Sequence, residues 1–185
     1  MNASVSSRSV AMLDACVLIN LLASMRAQEI LAGSEYNFGI CTVVSTESIY
    51  LRAADPNAPP DTVELDPFVN SKCLRVYGLS GNKEQEMYVD YAADLDDGEA
   101  MTLALALSRG FAVATDDRKA RRIFLEDTGD AKRLLSTPHI LKRWSTRASL
   151  TTGELKKLLL DVSRRGRFSP HSGDADFSWW SKAVL

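Results

Sequence analysis

The chain has 185 residues, of which 45% are hydrophobic and 25% are charged. This length suits one domain, and the composition excludes long disorder, collagen-like fibres and low-complexity repeats. The net charge of -2 is unevenly distributed: residues 1–108 hold 6 Lys/Arg and 15 Asp/Glu (-9), and residues 109–185 hold 16 and 9 (+7). An acidic part suits a metal ion and a basic part suits a polyanion, although charges sorted onto solvated helix faces give the same pattern.

The sequence favours a cytoplasmic location without membrane association. The first ten residues are rich in Ser and too poor in apolar residues for a signal peptide. The apolar stretch 15–23 is interrupted by Asn20 and is shorter than the roughly 20 residues needed to cross a bilayer. The cysteines are odd in number and widely spaced, which fits reduced thiols and argues against a structural zinc site.

Short apolar runs predict the strands of an α/β fold. Their apolar residues do not alternate with polar ones, which is typical of parallel strands that are covered on both faces. The predicted strands lie at 10–13, 38–44, 74–79, 111–115 and 132–135. We therefore expect a three-layer α/β/α domain with a central, mainly parallel sheet.

Helical periodicity predicts the elements between these strands. The predicted helices cover 15–31, 47–54, 83–94, 97–109, 118–126, 138–147 and 152–163. Ser45 or Thr46 is suited to cap the helix 47–54, and Gly110 to end the helix 97–109. The connection 55–67 is rich in proline and is expected to be irregular.

These elements predict one domain with an appendage. Residues 1–147 are expected to form the main domain, and residues 148–185 a C-terminal helical extension and tail of the same domain.

Acidic residues occur where several of these elements begin or end. Asp14 follows the first strand, Asp116 and Asp117 follow the strand 111–115, and Glu47 and Glu99 lie in the first turns of two helices. Ligands in parallel α/β sheets bind beyond the carboxyl ends of the strands, so we expect these acids to meet there. Each acid taken singly also suits a helix cap or a first helical turn.

Such a group of carboxylates predicts a divalent metal. Like charges in one small pocket repel, so either their pKa values rise or a cation neutralises them. Ligands that are all oxygen atoms suit Mg²⁺ or Mn²⁺ better than Zn²⁺. Ions of this kind activate water and neutralise phosphate charge, which is the chemistry of phosphodiester hydrolysis.

Four segments of the chain resemble the PIN-domain family. They are MLDACVLIN at 12–20, TE at 46–47, DGEAMTLALA at 97–106 and ATDDRKAR at 114–121. PIN domains are metal-dependent ribonucleases, and many are toxins of bacterial toxin–antitoxin pairs, the VapC-like group. The resemblance extends over about residues 10–144 and implies a three-layer PIN-like fold.

The resemblance also implies roles for the acids. Asp14 matches the first acid of the family site, Glu47 the second and Glu99 the third. Asp116 and Asp117 both match the fourth, because different branches of the family favour one or the other. The implied metal ligands are therefore Asp14, Glu99 and Asp116 or Asp117, with Glu47 completing the catalytic group.

The implied function is an Mg²⁺- or Mn²⁺-dependent endoribonuclease, the toxin of a toxin–antitoxin pair. Its partners would be RNA, a cognate antitoxin protein and a second copy of the chain in a homodimer. A polar and basic segment follows the last strand acids and is expected to bind the RNA backbone: Thr115, Arg118, Lys119, Arg121 and Arg122. Two alternatives remain, a non-catalytic PIN scaffold that binds RNA or protein, and a nuclease that acts on DNA.

Overall fold

The computed structural model describes residues 8–53, 55 and 57–185. The strands are β1 (Val10–Leu13), β2 (Asn37–Cys41), β3 (Ile49–Leu51), β4 (Asp61–Val63), β5 (Leu74–Tyr77), β6 (Ala112–Ala114) and β7 (Leu134–Leu135). The helices are α1 (Ala15–Ala23), α2 (Ala27–Gly33), α3 (Thr42–Thr46), α4 (Asp66–Asn70), α5 (Gly81–Ala92), α6 (Asp97–Arg109), α7 (Arg118–Thr128), α8 (Thr137–Arg147), α9 (Thr152–Arg165) and α10 (Phe177–Val184). A 3₁₀ turn covers Ala131–Arg133.

The central sheet is parallel, as the apolar runs predict. Its strand order is β5-β2-β1-β6-β7, and each neighbouring pair is parallel. Helix α6 packs on β1, β2 and β6 with α5 and α7 beside it, whereas α1 packs with α2, α8 and α9. The predicted α/β class with helices on both faces of the sheet is therefore confirmed.

The register of the sheet brings the ends of its strands to one edge. Leu13 of β1 lies opposite Ala114 of β6, and Ala114 lies opposite Leu135 of β7. The residues that follow these strands therefore emerge side by side. Because all these strands are parallel, this is the carboxyl edge, where ligands of such sheets bind.

The prediction of one continuous helix over 15–31 is wrong, because the helix is interrupted in the middle of this range and the chain forms two helices, α1 and α2. Ser24 ends α1, and its hydroxyl donates to the carbonyl of Leu21 at 2.5 Å. Met25 then adopts a left-handed backbone with φ of 60°. Since that conformation cannot continue a right-handed helix, α2 begins in a new direction after Arg26.

The predicted helix 47–54 is also wrong. The helix comes earlier, as α3, and Glu47 is its C-cap instead of a first-turn residue. The segment after Glu47 forms β3, which pairs with β4 in an antiparallel ribbon separate from the main sheet. Residue 54, the last residue of the predicted helix 47–54, lies outside the described residues. Residues 1–7 lie outside them as well, and these make up most of the segment considered for a signal peptide.

The C-terminal segment packs on the main domain and forms a helix that the sequence does not predict. Helix α9 buries Leu158, Leu159 and Val162 in the main core, and α10 adds Trp180 at 3% exposure.

No single helix of the described residues is long and apolar enough to cross a membrane. Taken together, α1 and α2 have the length and composition of a membrane-spanning segment, but the two helices are bent by 116° relative to each other.

Candidate functional site

Asp14 is held at the carboxyl edge by three hydrogen bonds. It is the N-cap of α1 and is only 3% exposed. Its Oδ1 accepts from the amide of Ala15 at 2.7 Å, and its Oδ2 accepts from the hydroxyl of Thr115 at 2.8 Å and the thiol of Cys16 at 3.1 Å. Burial raises the pKa of Asp14, although these three hydrogen bonds oppose the rise.

Thr115 joins the ends of the two central strands. Its side chain is fully buried, and its hydroxyl both donates to Asp14 and accepts from the backbone amide of Asp117 at 3.1 Å. The amide of Asp14 in turn donates to the carbonyl of Ala114 at 3.0 Å. The sheet register and this hydroxyl therefore fix the position of Asp14 relative to the acids that follow β6.

Glu99 faces three other acids across the carboxyl edge. Burial is the main cause that raises the pKa of Glu99 to about 7, and repulsion from Asp14, Asp96 and Asp117 adds to it. Its own amide donates to Oδ1 of Asp96, the N-cap of α6, at 2.8 Å. Glu99 therefore lies close enough to interact electrostatically with Asp96 at its own helix start and with two acids of other segments, Asp14 and Asp117.

Glu47 approaches the same place from α3. Partial desolvation raises the pKa of Glu47, which remains exposed, and repulsion from Asp96 and Asp14 adds to the rise. A β-carbon built on Gly98 would lie 3.2 Å from Oε1 of Glu47 and 3.5 Å from Oδ1 of Asp96. The absence of a side chain at Gly98 thus lets the carboxylate of Glu47 lie against the first turn of α6.

These side chains form what we call the acidic cluster, which consists of Asp14, Glu47, Asp96, Glu99 and Asp117. Within the described residues, none of the five takes part in an ion pair with a Lys, Arg or His side chain. Their mutual repulsion is therefore not neutralised by the protein's own cations. In the same part of the chain, no three His, Cys, Asp or Glu side chains are already arranged to hold a metal ion.

Asp116 and Asp117 are adjacent but have different surroundings. Both oxygens of Asp116 accept from Thr137, the amide at 2.9 Å and the hydroxyl at 2.6 Å, and its Oδ2 also accepts from Asn20 at 3.1 Å. Burial raises the pKa of Asp116. Oδ1 of Asp117 caps α7 by accepting from the amides of Lys119 and Ala120 at 2.7 and 2.9 Å. Asp117 is the one that raises the pKa of Glu99.

The predicted RNA-binding residues after Asp117 differ in the partners that the rest of the protein gives them. Lys119 forms an ion pair with Asp94 at 2.8 Å, and Arg122 pairs with Glu126 at 3.1 Å. Nη1 of Arg121 donates to the carbonyls of Thr115 and Leu135 at 2.8 and 2.9 Å. Arg118 is exposed and, among the described residues, forms no ion pair.

Four residues of this edge are not among the sequence-predicted site residues: Cys16, whose thiol donates to Asp14, and Asp96, Asn20 and Thr137. Asp96 has a local signal, since it stands three residues before Glu99 at a helix start, but that signal indicates a cap. Asn20 and Thr137 have no local signal, because their contacts with Asp116 join positions 96 and 21 residues apart.

Comparisons with models of known families, with curated proteins and with solved structures found no match to this chain.

Proposed function

We propose that the protein is a divalent-metal-dependent endoribonuclease of the PIN-domain type. The observation that carries the proposal is the acidic cluster, in which carboxylates from separate segments raise one another's pKa and, among the described residues, form no ion pair with Lys, Arg or His. Because repulsion between carboxylates does not stabilise a fold, a cation that binds these carboxylates is the simplest reason for them to lie together. The resemblance to PIN domains adds the substrate class.

The donor atoms of the cluster fit Mg²⁺ or Mn²⁺. All are carboxylate oxygens, which these ions prefer, and they include Asp14 at the N-cap of α1 and Glu99 in the first turn of α6. Asp14 and Glu99 would hold the ion together with Asp116 or Asp117, and Glu47 would complete the group. A bound ion would supply Lewis-acid activation of water and neutralisation of phosphate charge.

The chain's own residues would hold this arrangement in place. Thr115 and Cys16 fix one oxygen of Asp14 by donating hydrogen bonds to it. Asp117 is oriented by the first amides of α7, and Asp96 by the amide of Glu99. These contacts reduce the rearrangement that ligand binding requires, which is the usual task of groups next to a metal ligand.

Cleavage of single-stranded RNA in millimolar Mn²⁺ or Mg²⁺ tests the proposal. The wild-type protein should cleave and should stop when EDTA is added. Asp14→Asn should reduce cleavage by more than about 100-fold, because even the loss of an outer partner of a metal ligand costs about 10–100-fold. Glu86→Gln, which removes an exposed acid from α5 outside the cluster, is the matched control and should keep full activity.

Two outcomes would contradict the assignment. If Asp14→Asn cleaved RNA as fast as the wild type, the acidic cluster would not be the active site. If the wild-type protein bound RNA without cleaving it in either metal, the non-catalytic scaffold would replace the nuclease. A DNA strand of the same sequence, assayed in parallel, distinguishes a ribonuclease from a nuclease that acts on DNA.

We further propose a biological role as the toxin of a toxin–antitoxin pair, in the cytoplasm and as a homodimer. This role is supported by the resemblance to the VapC-like group. Expression of the chain alone should arrest growth, and co-expression with the product of a neighbouring small reading frame should relieve the arrest and yield a complex on purification. Normal growth during unopposed expression of active protein would contradict the role but leave the ribonuclease proposal intact.

A further inference from the structure

A cavity of about 550 Å³ lies at the start of α7, where it is lined by Asp116, the neighbour in sequence of Asp117 of the acidic cluster. One wall is the start of α7, and the other is the segment 168–175 that joins α9 to α10. The lining residues that matter here are Asp116, Arg118, Arg121, Phe168, His171 and Asp174. Its size is within the roughly 300–1,000 Å³ typical of small-molecule pockets.

The start of α7 gives the cavity two arginines. The exposed side chain of Arg118 forms no ion pair among the described residues, so its charge is available to a ligand. Arg121 is anchored, because its Nη1 donates to the carbonyls of Thr115 and Leu135 at the ends of β6 and β7. This anchoring leaves further guanidinium N–H groups, since Arg carries five donors.

The opposite wall contributes a histidine with a defined donor. Nδ1 of His171 accepts from the amide of Gly173 at 2.9 Å, and the carbonyl of His171 accepts from the amide of Asp174 at 2.8 Å. When Nδ1 of a neutral imidazole accepts, Nε2 carries the hydrogen. His171 therefore has an N–H group that is not used within its own loop.

Phe168 supplies an aromatic ring at the same wall. Its ring packs edge to face with that of Trp180, with centroids 5.6 Å apart and planes at 77°. Trp180 is 3% exposed, so it holds Phe168 in place, while Phe168 itself is only half-buried. A fixed and partly exposed ring is suited to stack on a nucleic-acid base.

The two acids of the cavity are both engaged by hydrogen bonds. The oxygens of Asp116 accept from Thr137 and Asn20. Oδ1 of Asp174 accepts from the amide of Asp176 at 2.7 Å. Among the described residues, the side chain of Arg118 and Nε2 of His171 form no hydrogen bond or ion pair. Together with the ring of Phe168, these two donors favour an anion that carries an aromatic group.

We propose that this cavity is the subsite for one nucleotide of single-stranded RNA, adjacent to the phosphodiester at the acidic cluster. Arg118 and the Nε2 hydrogen of His171 bind its phosphate, Arg121 lends a fixed positive charge, and Phe168 stacks on its base. The subsite rests on the proposed ribonuclease function for its substrate. It adds that the segment between α9 and α10 is part of the RNA-binding surface.

Fluorescence anisotropy with a labelled single-stranded pentaribonucleotide, in EDTA, measures this binding apart from cleavage. Arg118→Ala should weaken binding by roughly 10-fold, since it removes a charge-assisted hydrogen bond to the phosphate. It should also lower the slope of log K against log salt by about 1. The matched control is Lys132→Ala, which removes an exposed positive charge just before β7, at the other end of the sheet, and should leave binding within about twofold.

Two substitutions at His171 distinguish a phosphate contact from a loop-forming role. Asn places an acceptor at the position of Nδ1 and removes the outer donor, so His171→Asn should weaken binding several-fold. Gln places an amide N–H at the position of Nε2, so His171→Gln should keep most of the affinity. Phe168→Leu retains an apolar contact with Trp180 but loses the aromatic face, and it should weaken binding by about 5–10-fold.

The measurements separate this inference from the proposed function. Absence of pentaribonucleotide binding in EDTA, or equal losses for Arg118→Ala and Lys132→Ala with none for His171→Asn and Phe168→Leu, would overturn the subsite. Binding that follows the expected pattern supports the subsite even where no cleavage occurs, whereas absence of cleavage in Mn²⁺ or Mg²⁺ contradicts only the proposed function.

Discussion

A glutamate lies at each end of α6, and the pKa values of the two glutamates are shifted in opposite directions. At its C-terminal end, Arg109 forms a salt bridge with the buried Glu84 of α5 at 2.8 Å, and Ser108 donates to the same carboxylate at 3.0 Å. The guanidinium of Arg109 is the main cause that lowers the pKa of Glu84 to about 2. At the N-terminal end, Glu99 faces other acids, and burial with their repulsion raises the pKa of Glu99 to about 7.

This contrast distinguishes a carboxylate that stabilises the fold from one that destabilises it. The fold provides Glu84 with a cation and several donors, so its ionised form is favoured. It provides Glu99 with no cation among the described residues. The helix dipole favours an acid in a first turn, but it does not account for the repulsion between Glu99 and acids of other segments, which the proposed metal ion would relieve.

The largest expected effect on stability comes from removing the salt bridge between Glu84 and Arg109 at the C-terminal end of α6. Glu84→Gln should lower the free energy of unfolding by about 2–4 kcal/mol at pH 7, because it leaves a largely buried Arg109 without its counter-charge. Urea denaturation measures this change. The control is Glu126→Gln, which removes an exposed partner of Arg122 and should cost less than about 0.5 kcal/mol.

The pH dependence of the wild-type protein relative to Glu84→Gln sharpens this prediction. The ordinary pKa of Glu84 is 4.5 and its pKa in the fold is about 2. Its stabilisation is therefore complete above pH 4.5 and is lost as the pH falls toward 2. The difference between the two proteins should shrink over this range, and a difference independent of pH would show that Gln disturbs packing instead of charge.

At the N-terminal end of α6, where the acidic cluster lies, removal of a carboxylate should change the free energy of unfolding in the opposite direction. Glu99→Gln should raise the free energy of unfolding by about 1–3 kcal/mol at pH 8 in EDTA, because it removes a half-buried carboxylate whose pKa in the fold is about 7 instead of 4.5. The unfolded chain ionises Glu99 first, so wild-type stability should fall as the pH rises from about 4.5 to 7 and then level off. Thermal unfolding at several pH values measures both curves.

The gain from Glu99→Gln should vanish below pH 4.5, where Glu99 is protonated in both states. A gain that persisted there would show that Gln improves packing and that repulsion is not its cause. Asp90→Asn, at an exposed acid of α5 outside the cluster, should leave stability nearly unchanged at every pH.

The elements with strong local signals were predictable from the sequence. Buried apolar runs locate β1 and β6, and a cap, an Ala- and Leu-rich body and a terminal Gly110 locate α6. The parallel arrangement of these strands then predicts that Asp14, Glu99 and an acid after β6 lie at one edge. That much of the candidate site follows from sequence because each acid directly follows or begins an element with a clear signal.

The remaining features depend on contacts between distant residues. The ribbon of β3 and β4 forms only when the two segments pair across the proline-rich connection, so the local helical signal at 47–54 was misleading. Helix α10 is stabilised by burial of Trp180 against the rest of the fold. The different surroundings of Asp116 and Asp117 are set by Thr137 and Asn20, which no local pattern associates with them.

The smallest expected effect on the free energy of unfolding comes from a metal ion bound at the acidic cluster. Millimolar Mn²⁺ at roughly 10 times its dissociation constant should add about 1.4 kcal/mol, which corresponds to an increase in Tm of about 3–6 °C for a chain of this size. The increase should be absent in Asp14→Asn and Glu99→Gln, which lose ligands, and intact in Glu126→Gln, which loses an acid elsewhere. It should also diminish as the pH falls below about 7, because Mn²⁺ then competes with a proton for Glu99. Equal stabilisation of all these proteins would place the ion outside the acidic cluster, and the two ends of α6 would then differ only in their contribution to stability.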